Sequence, residues 1–198
     1  MTADGDLLKT YMSTLARAFA NVVATNSTGK VVPLDTAITW ALKSLNGMKA
    51  DGGKAIFVGN GGSAAIASHM AIDYCKNGGI PALAFNDAAA LTCLTNDIGY
   101  EGVFSHQISA LGKREDMLFA ISSSGASANI IAAAKSAASR EIKILTLSGF
   151  DDENPLRKLG HMNFFVPMAE YGFVEITHLA LCHAILDFSM EWRPETSG

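Results

Sequence analysis

Met117-Leu118-Phe119-Ala120-Ile121-Ser122-Ser123-Ser124-Gly125-Ala126-Ser127-Ala128-Asn129 sets an apolar run of strand length against a serine- and glycine-rich turn, and an alanine-rich helical stretch follows. Strand, turn and helix in that order form half of a βαβ unit. The turn also has the chemistry of an anion cradle. Ser122, Ser123, Ser124 and Ser127 supply hydroxyls, the glycine lets the backbone turn freely, and the N–H groups opening the helix point at whatever the turn holds. A plainer reading stands beside it, in which Ser124 or Ser127 only caps the helix.

The same rhythm extends outward. After Gly52-Gly53, short apolar runs at Ala55–Val58, Ala82–Phe85, Met117–Ile121, Ile142–Leu147 and Met162–Val166 each end in Gly, Asn, Ser or Pro, with helical patterns between most of them. Alternation of this kind predicts an α/β fold, a mainly parallel five-stranded sheet covered by helices on both faces. Ligands of such sheets gather at the carboxyl ends of the strands. Both glycine/serine turns, 59–63 and 122–127, fall at such ends. Upstream, apolar residues recur at helical spacing from Leu7 to about Ala24, and a second helix is expected from Asp35, as N-cap, through Leu45. Residues 1–51 therefore read as an N-terminal helical arm on an α/β core at 52–192. Residues 193–198 read as a frayed tail, and the whole as one domain.

Composition narrows the function. With 198 residues, 49% hydrophobic and 17% charged, the chain has the make-up of an ordinary globular domain. A net charge of −4 and 15 Lys+Arg without a basic cluster argue against nucleic acid as a partner. Cys75, Cys93 and Cys182 are odd in number and form no Cys-x-x-Cys pair, which fits buried thiols in a reducing compartment. No basic leader and no apolar stretch of ~18 residues is present, so a soluble cytoplasmic protein without a membrane partner is expected.

The second turn, Gly59-Asn60-Gly61-Gly62-Ser63-Ala64, matches neither the dinucleotide fingerprint nor the phosphate loop with its lysine. Asn60 and Ser63 offer neutral hydrogen bonds suited to sugar hydroxyls. On the following helix His69 and Asp73 are spaced i,i+4 and share a face, which suits a metal pair, an acid/base pair or a simple surface hydrogen bond. In the apolar helix Val174–Phe188, Glu175 and His183 lie roughly 80° apart in azimuth and can line one cleft edge. Between them, His178 reads best as a structural histidine bonded to a carbonyl.

In chain order, Gly-Asn-Gly-Gly-Ser, His-x-x-x-Asp, Thr95-Asn96-Asp97, Ser-Ser-Ser-Gly-x-Ser-x-Asn and Glu-x-x-His-x-x-x-x-His together resemble the sugar-isomerase (SIS) fold. Within that fold the resemblance is to the phosphoheptose isomerases, which act on sedoheptulose 7-phosphate. It runs over nearly the whole chain and implies a three-layer α/β/α sandwich. Substrate contacts are implied at Asn60, Gly61, Gly62 and Ser63, at Asn96 and Asp97, and at Glu175, with the sugar phosphate on Ser122, Ser123, Ser124 and Ser127. It also implies a metal or acid/base set of His69, Asp73, Glu175 and His183, zinc as the candidate cofactor, and a homotetramer with sites between subunits. The catalytic groups would be Asp73 or Glu175 as base and His183 as acid, working through an enediol(ate). The aldoheptose product would feed a heptose-bearing polymer such as lipopolysaccharide or capsule.

This chain departs from the family pattern in three places. Asp73 stands where the family usually has Glu, Glu175 stands where it has Gln, and the segment 74–80 is shorter than the family's arginine-bearing one. Two rivals follow from the same residues: an isomerase or epimerase of another sugar phosphate, and a non-catalytic sugar-phosphate sensor or replication-initiator-associating adaptor.

Overall fold

The computed structural model describes residues 6–192, so the expectation for the tail at 193–198 lies outside the described residues. Seven strands form one sheet in the order β2-β1-β7-β6-β5-β3-β4. The five expected strands are all present and mutually parallel: β3 (Ala55–Gly59), β4 (Ala82–Ala84), β5 (Met117–Ser122), β6 (Lys143–Gly149) and β7 (Met162–Val166). The other two correct the five-stranded expectation.

Helix α1 (Leu7–Ala20) stops at Asn21, and β1 (Val23–Asn26) and β2 (Val31–Val32) form a hairpin whose first strand lies antiparallel to β7, with Ala24 opposite Phe164. The arm is therefore not purely helical. Phe19, Val22 and Val23 fit a helical stripe as well as they fit the start of a strand. What decides between them is the open edge of β7, a partner far away in sequence. Within the hairpin, Asn26 Oδ1 accepts from the main-chain N–H groups of Thr28 and Lys30. Helix α2 (Leu34–Ala50) begins one residue before Asp35 and runs five past Leu45.

Period-two alternation along the strands sorts the core into two layers. Phe57, Met117, Phe119, Ile121, Leu145 and Leu147 pack with α2, α3 (Gly62–Lys76) and α7 (Tyr171–Ser189). On the opposite face Ile56, Val58, Leu118, Ala120 and Ile144 pack with α4 (Ala88–Ile98), α5 (Val103–Leu111) and α6 (Ala128–Ser139). The stacked Phe57 and Phe119 rings, 4.5 Å apart, have Tyr74 of α3 edge-on at 5.1 and 5.6 Å. Burying each such ring stabilises the fold by about 1.5–3 kcal/mol.

The strand order reverses at β3, whose neighbours are β4 on one side and β5 on the other. Residue Gly59 lies beside Ile121 in register, so the two glycine/serine turns leave the sheet next to each other. That is the crevice where open α/β sheets hold their ligands.

Candidate active site

The two turns share a cavity of about 320 Å³, with the glycine turn on one wall, the four serines on the other and Tyr171 and Glu175 of α7 completing it. Gly61 starts α3 with φ +53°. At Gly62 the Glu175 carboxylate lies directly against the glycine, and a side chain there would displace it. A larger cleft of about 970 Å³ lies at the amino ends of the strands, between Trp40, Arg114, Lys143 and His161, and holds none of the motif residues.

In the serine turn, Ser127 takes the N-cap backbone conformation of α6. Its hydroxyl bonds that of Ser122 at 3.2 Å instead of the helix amides. Ser124 Oγ accepts from the Ala126 N–H at 3.2 Å. The Ser123 hydroxyl is buried without a partner among the described residues. A cap in backbone geometry thus leaves hydroxyls and the first helix amides without a side-chain acceptor, which is the arrangement an anion requires. Asn154 backs the turn: its side chain lies flush against Gly125, and its Nδ2 donates to Asp151 O at 2.6 Å and to Ser148 Oγ and Gly149 O at 3.3 Å.

His69 and Asp73 on α3 meet His183 on α7. Asp73 Oδ2 lies 3.5 Å from His69 Nε2 and 3.9 Å from His183 Nδ1, and the two imidazole rings are 5.2 Å apart. One ligand atom from each of the three falls within 4.8 Å of the others. Glu175 is not in this group. Eight positions separate it from His183, about 12 Å along the helix axis, so both face α3 but at different heights. Azimuth was legible in the spacing; the axial gap is what parts Glu175 from the proposed ligand set.

Asn96 and Asp97 also stay outside the cavity. Both are exposed on α4, and Asn96 Nδ2 donates to Asp97 Oδ1 at 2.8 Å. His178 turns into the core, where its Nε2 lies 3.1 Å from the Ser148 carbonyl oxygen and burial lowers its pKa to about 4. That is the structural role expected of it. Three contributors lacked a strong sequence signal: Tyr171 at the cavity wall, Asn154 under the serine turn, and Tyr100, whose hydroxyl donates to Asn60 Oδ1 at 2.8 Å. Asn129 stood inside the serine motif without a role.

A family profile described as SIS domain matches residues 10–149. Phosphoheptose isomerase of Colwellia psychrerythraea is 39% identical over 144 residues, 69% of this chain and 74% of its own. That of Yersinia pestis is 32% identical over 189 residues, 91% of this chain and 93% of its own. The chain belongs to the phosphoheptose isomerase family. A solved phosphoheptose isomerase from Neisseria gonorrhoeae superposes with a TM-score of 0.80 at 30% identity, covering 93% of this chain and 97% of that one. The SIS profile spans both glycine/serine turns and ends at β6. The likeness to the phosphoheptose isomerase of Yersinia pestis covers 91% of this chain and so reaches into α7. Among the described residues, no helix of this family member is long and apolar enough to cross a membrane.

Proposed function

We propose that the chain is an aldose–ketose isomerase interconverting sedoheptulose 7-phosphate and D-glycero-D-manno-heptose 7-phosphate. The observation that carries this is the shared cavity, in which the four serines of the turn that opens α6 and the carboxylate-bearing Glu175 line a single space at a helix N-terminus. The phosphate sits on Ser122, Ser123, Ser124 and Ser127 with the α6 amides, which the helix dipole favours. Its sugar then extends along the glycine turn toward Glu175. A carboxylate removes the proton beside the carbonyl, an enediol(ate) forms, and the proton returns to the neighbouring carbon. Glu175 is the carboxylate that lines the cavity. The acid that moves a proton between the oxygens is His183, delivered to this cavity from a neighbouring subunit, because within one chain it stands beside Asp73, about 12 Å along α7 from Glu175.

His69, Asp73 and His183 fit a metal: two imidazoles and a carboxylate with converging donor atoms make a three-ligand set that leaves an open position, as catalytic zinc uses. Bound zinc would polarise the substrate oxygens and stabilise enediolate charge. The assembly is read as a homotetramer with sites between subunits. This brings a partner's groups to a cavity whose Glu175 stands about 12 Å along α7 from His183 of its own chain. Cytoplasmic placement and a product destined for heptose-bearing polymers complete the reading.

The test is direct. Metal-replete protein is incubated with sedoheptulose 7-phosphate and the aldoheptose phosphate is followed by NMR. Turnover is expected, with His183→Ala lowering kcat by roughly 10²–10⁴-fold. Absence of product from the metal-replete wild type overturns the assignment.

A further inference from the structure

The proposed reaction leaves Asn129 and Tyr100 unused, yet both converge on Asn60. Asn60 Nδ2 donates to Asn129 Oδ1 at 2.8 Å, and Asn129 Nδ2 donates back to Asn60 Oδ1 at 2.9 Å. Two primary amides paired reciprocally hold each other coplanar, which fixes the rotation of both side chains. Tyr100 Oη then donates to the same Asn60 Oδ1 at 2.8 Å. Both lone pairs of that oxygen and one of its two Nδ2 hydrogens are therefore engaged within the protein.

Three elements meet at this one side chain. Asn60 belongs to the turn after β3, Asn129 to the first turn of α6 directly behind the serine turn, and Tyr100 to the 3₁₀ turn between α4 and α5. Asn129 is only 2% exposed and Tyr100 is 52% exposed, so the clamp is anchored in the core at one end and reaches solvent at the other. A second cavity of about 310 Å³, between Asn86, Tyr100 and Phe104, lies on the far side of Asn60 and leaves the turn without packed support there. These hydrogen bonds add to the β3–β5 register, which already sets Gly59 beside Ile121, in tying the glycine turn to the serine side of the site.

We infer that Asn129 and Tyr100 are positioning residues. Acting through Asn60, they fix the sugar-holding glycine turn against the phosphate-holding serine turn, and so set how tightly the cavity holds a sugar phosphate. This inference rests on the sugar-phosphate reading above.

The experiment measures dissociation constants by calorimetry on the full-length, metal-replete protein, for sedoheptulose 7-phosphate and for inorganic phosphate. Wild type, Tyr100→Phe, Asn129→Ala and the double variant are compared. One hydrogen bond contributes about 0.5–1.5 kcal/mol, so Tyr100→Phe is expected to weaken the sugar phosphate by about 3- to 10-fold and Asn129→Ala, which removes two, by at least as much. Inorganic phosphate, which needs only the serine turn, is expected to bind within about two-fold of wild type. Because both changes act through Asn60, the double variant is expected to fall short of the product of the singles. Unchanged sugar-phosphate affinity, a parallel loss of inorganic phosphate, or fully multiplicative effects would each overturn the clamp. Should Asn129→Ala fail to fold, Tyr100→Phe at the surface carries the same comparison. Failure of the reaction assignment is separable: wild type that binds sedoheptulose 7-phosphate without turnover sinks the isomerase and leaves the affinity ratios to judge the clamp. If wild type binds a five- or six-carbon sugar phosphate in its place, that ligand is used for the same comparison.

Discussion

At Gly125 the chain adopts φ +61°, and a side chain there would fall on the Asn154 amide. Left-handed backbone costs an alanine about 1–2 kcal/mol, and the overlap adds to that by pushing Asn154 off its carbonyl partners. Gly125→Ala is expected to lower the melting temperature and to weaken inorganic phosphate at least about ten-fold, the loss of ~1.4 kcal/mol; unchanged phosphate affinity would remove Asn154 as the backing of the turn. Cysteine chemistry is read at the same scale. Odd number and wide spacing predict three buried thiols, but Cys75 and Cys93 are exposed, and only Cys182 is buried, its thiol pushed up to about 12 by desolvation. A chromogenic disulfide reagent should therefore count two thiols in native protein and all three in denaturant. Exposure of a cysteine depends on which side of a helix meets the sheet, and Cys75 lies one residue beyond the buried Tyr74.

At the scale of an element, α7 places three polar side chains by height and face: Glu175 at the cavity, His183 beside Asp73, and His178 against the sheet. An ordinary histidine takes up a proton near pH 6.5, whereas buried His178 resists until about 4. The unfolded chain thus binds the proton first. Stability is flat above pH 7 and falls as pH drops through 6.5 toward 4, by about 1.36 kcal/mol for each pKa unit of difference. Urea unfolding should show wild type losing about 2–3 kcal/mol more than His178→Asn between pH 7.5 and 4.5. Equal losses in the two proteins would mean that His178 titrates normally. The motif Glu-x-x-His-x-x-x-x-His was plain in the sequence, and so was the separate fate of its middle histidine. Its first and last members share a face of the helix but not a location: the Glu175 carboxylate lies against Gly62, about two turns of α3 before His69, while His183 lies beside Asp73.

Across the whole molecule, α1 leaves Leu7 and Leu8 72% and 73% exposed, and Met12 is 54% exposed. Only Ala18 of that helix is buried. An amphipathic helix with its apolar side uncovered favours association, in line with the proposed tetramer. Light scattering on the wild type is expected to give a four-chain particle. Leu8→Glu combined with Met12→Glu should give a smaller one of unchanged circular dichroism. A wild type that runs as a monomer at micromolar concentration would exclude the assembly. From the sequence by itself came the alternation of five parallel strands with helices, and the placing of two glycine/serine turns at strand ends. Those features follow from periodicity and turn chemistry acting over a few neighbouring residues. Only the tertiary structure decided that β1 and β2 extend the sheet beyond β7, that Glu175 stands apart from His69, Asp73 and His183, and that Asn60 pairs with Asn129 across 69 positions. Each of those outcomes depends on which surfaces meet when the layers pack, and no local pattern encodes the partner.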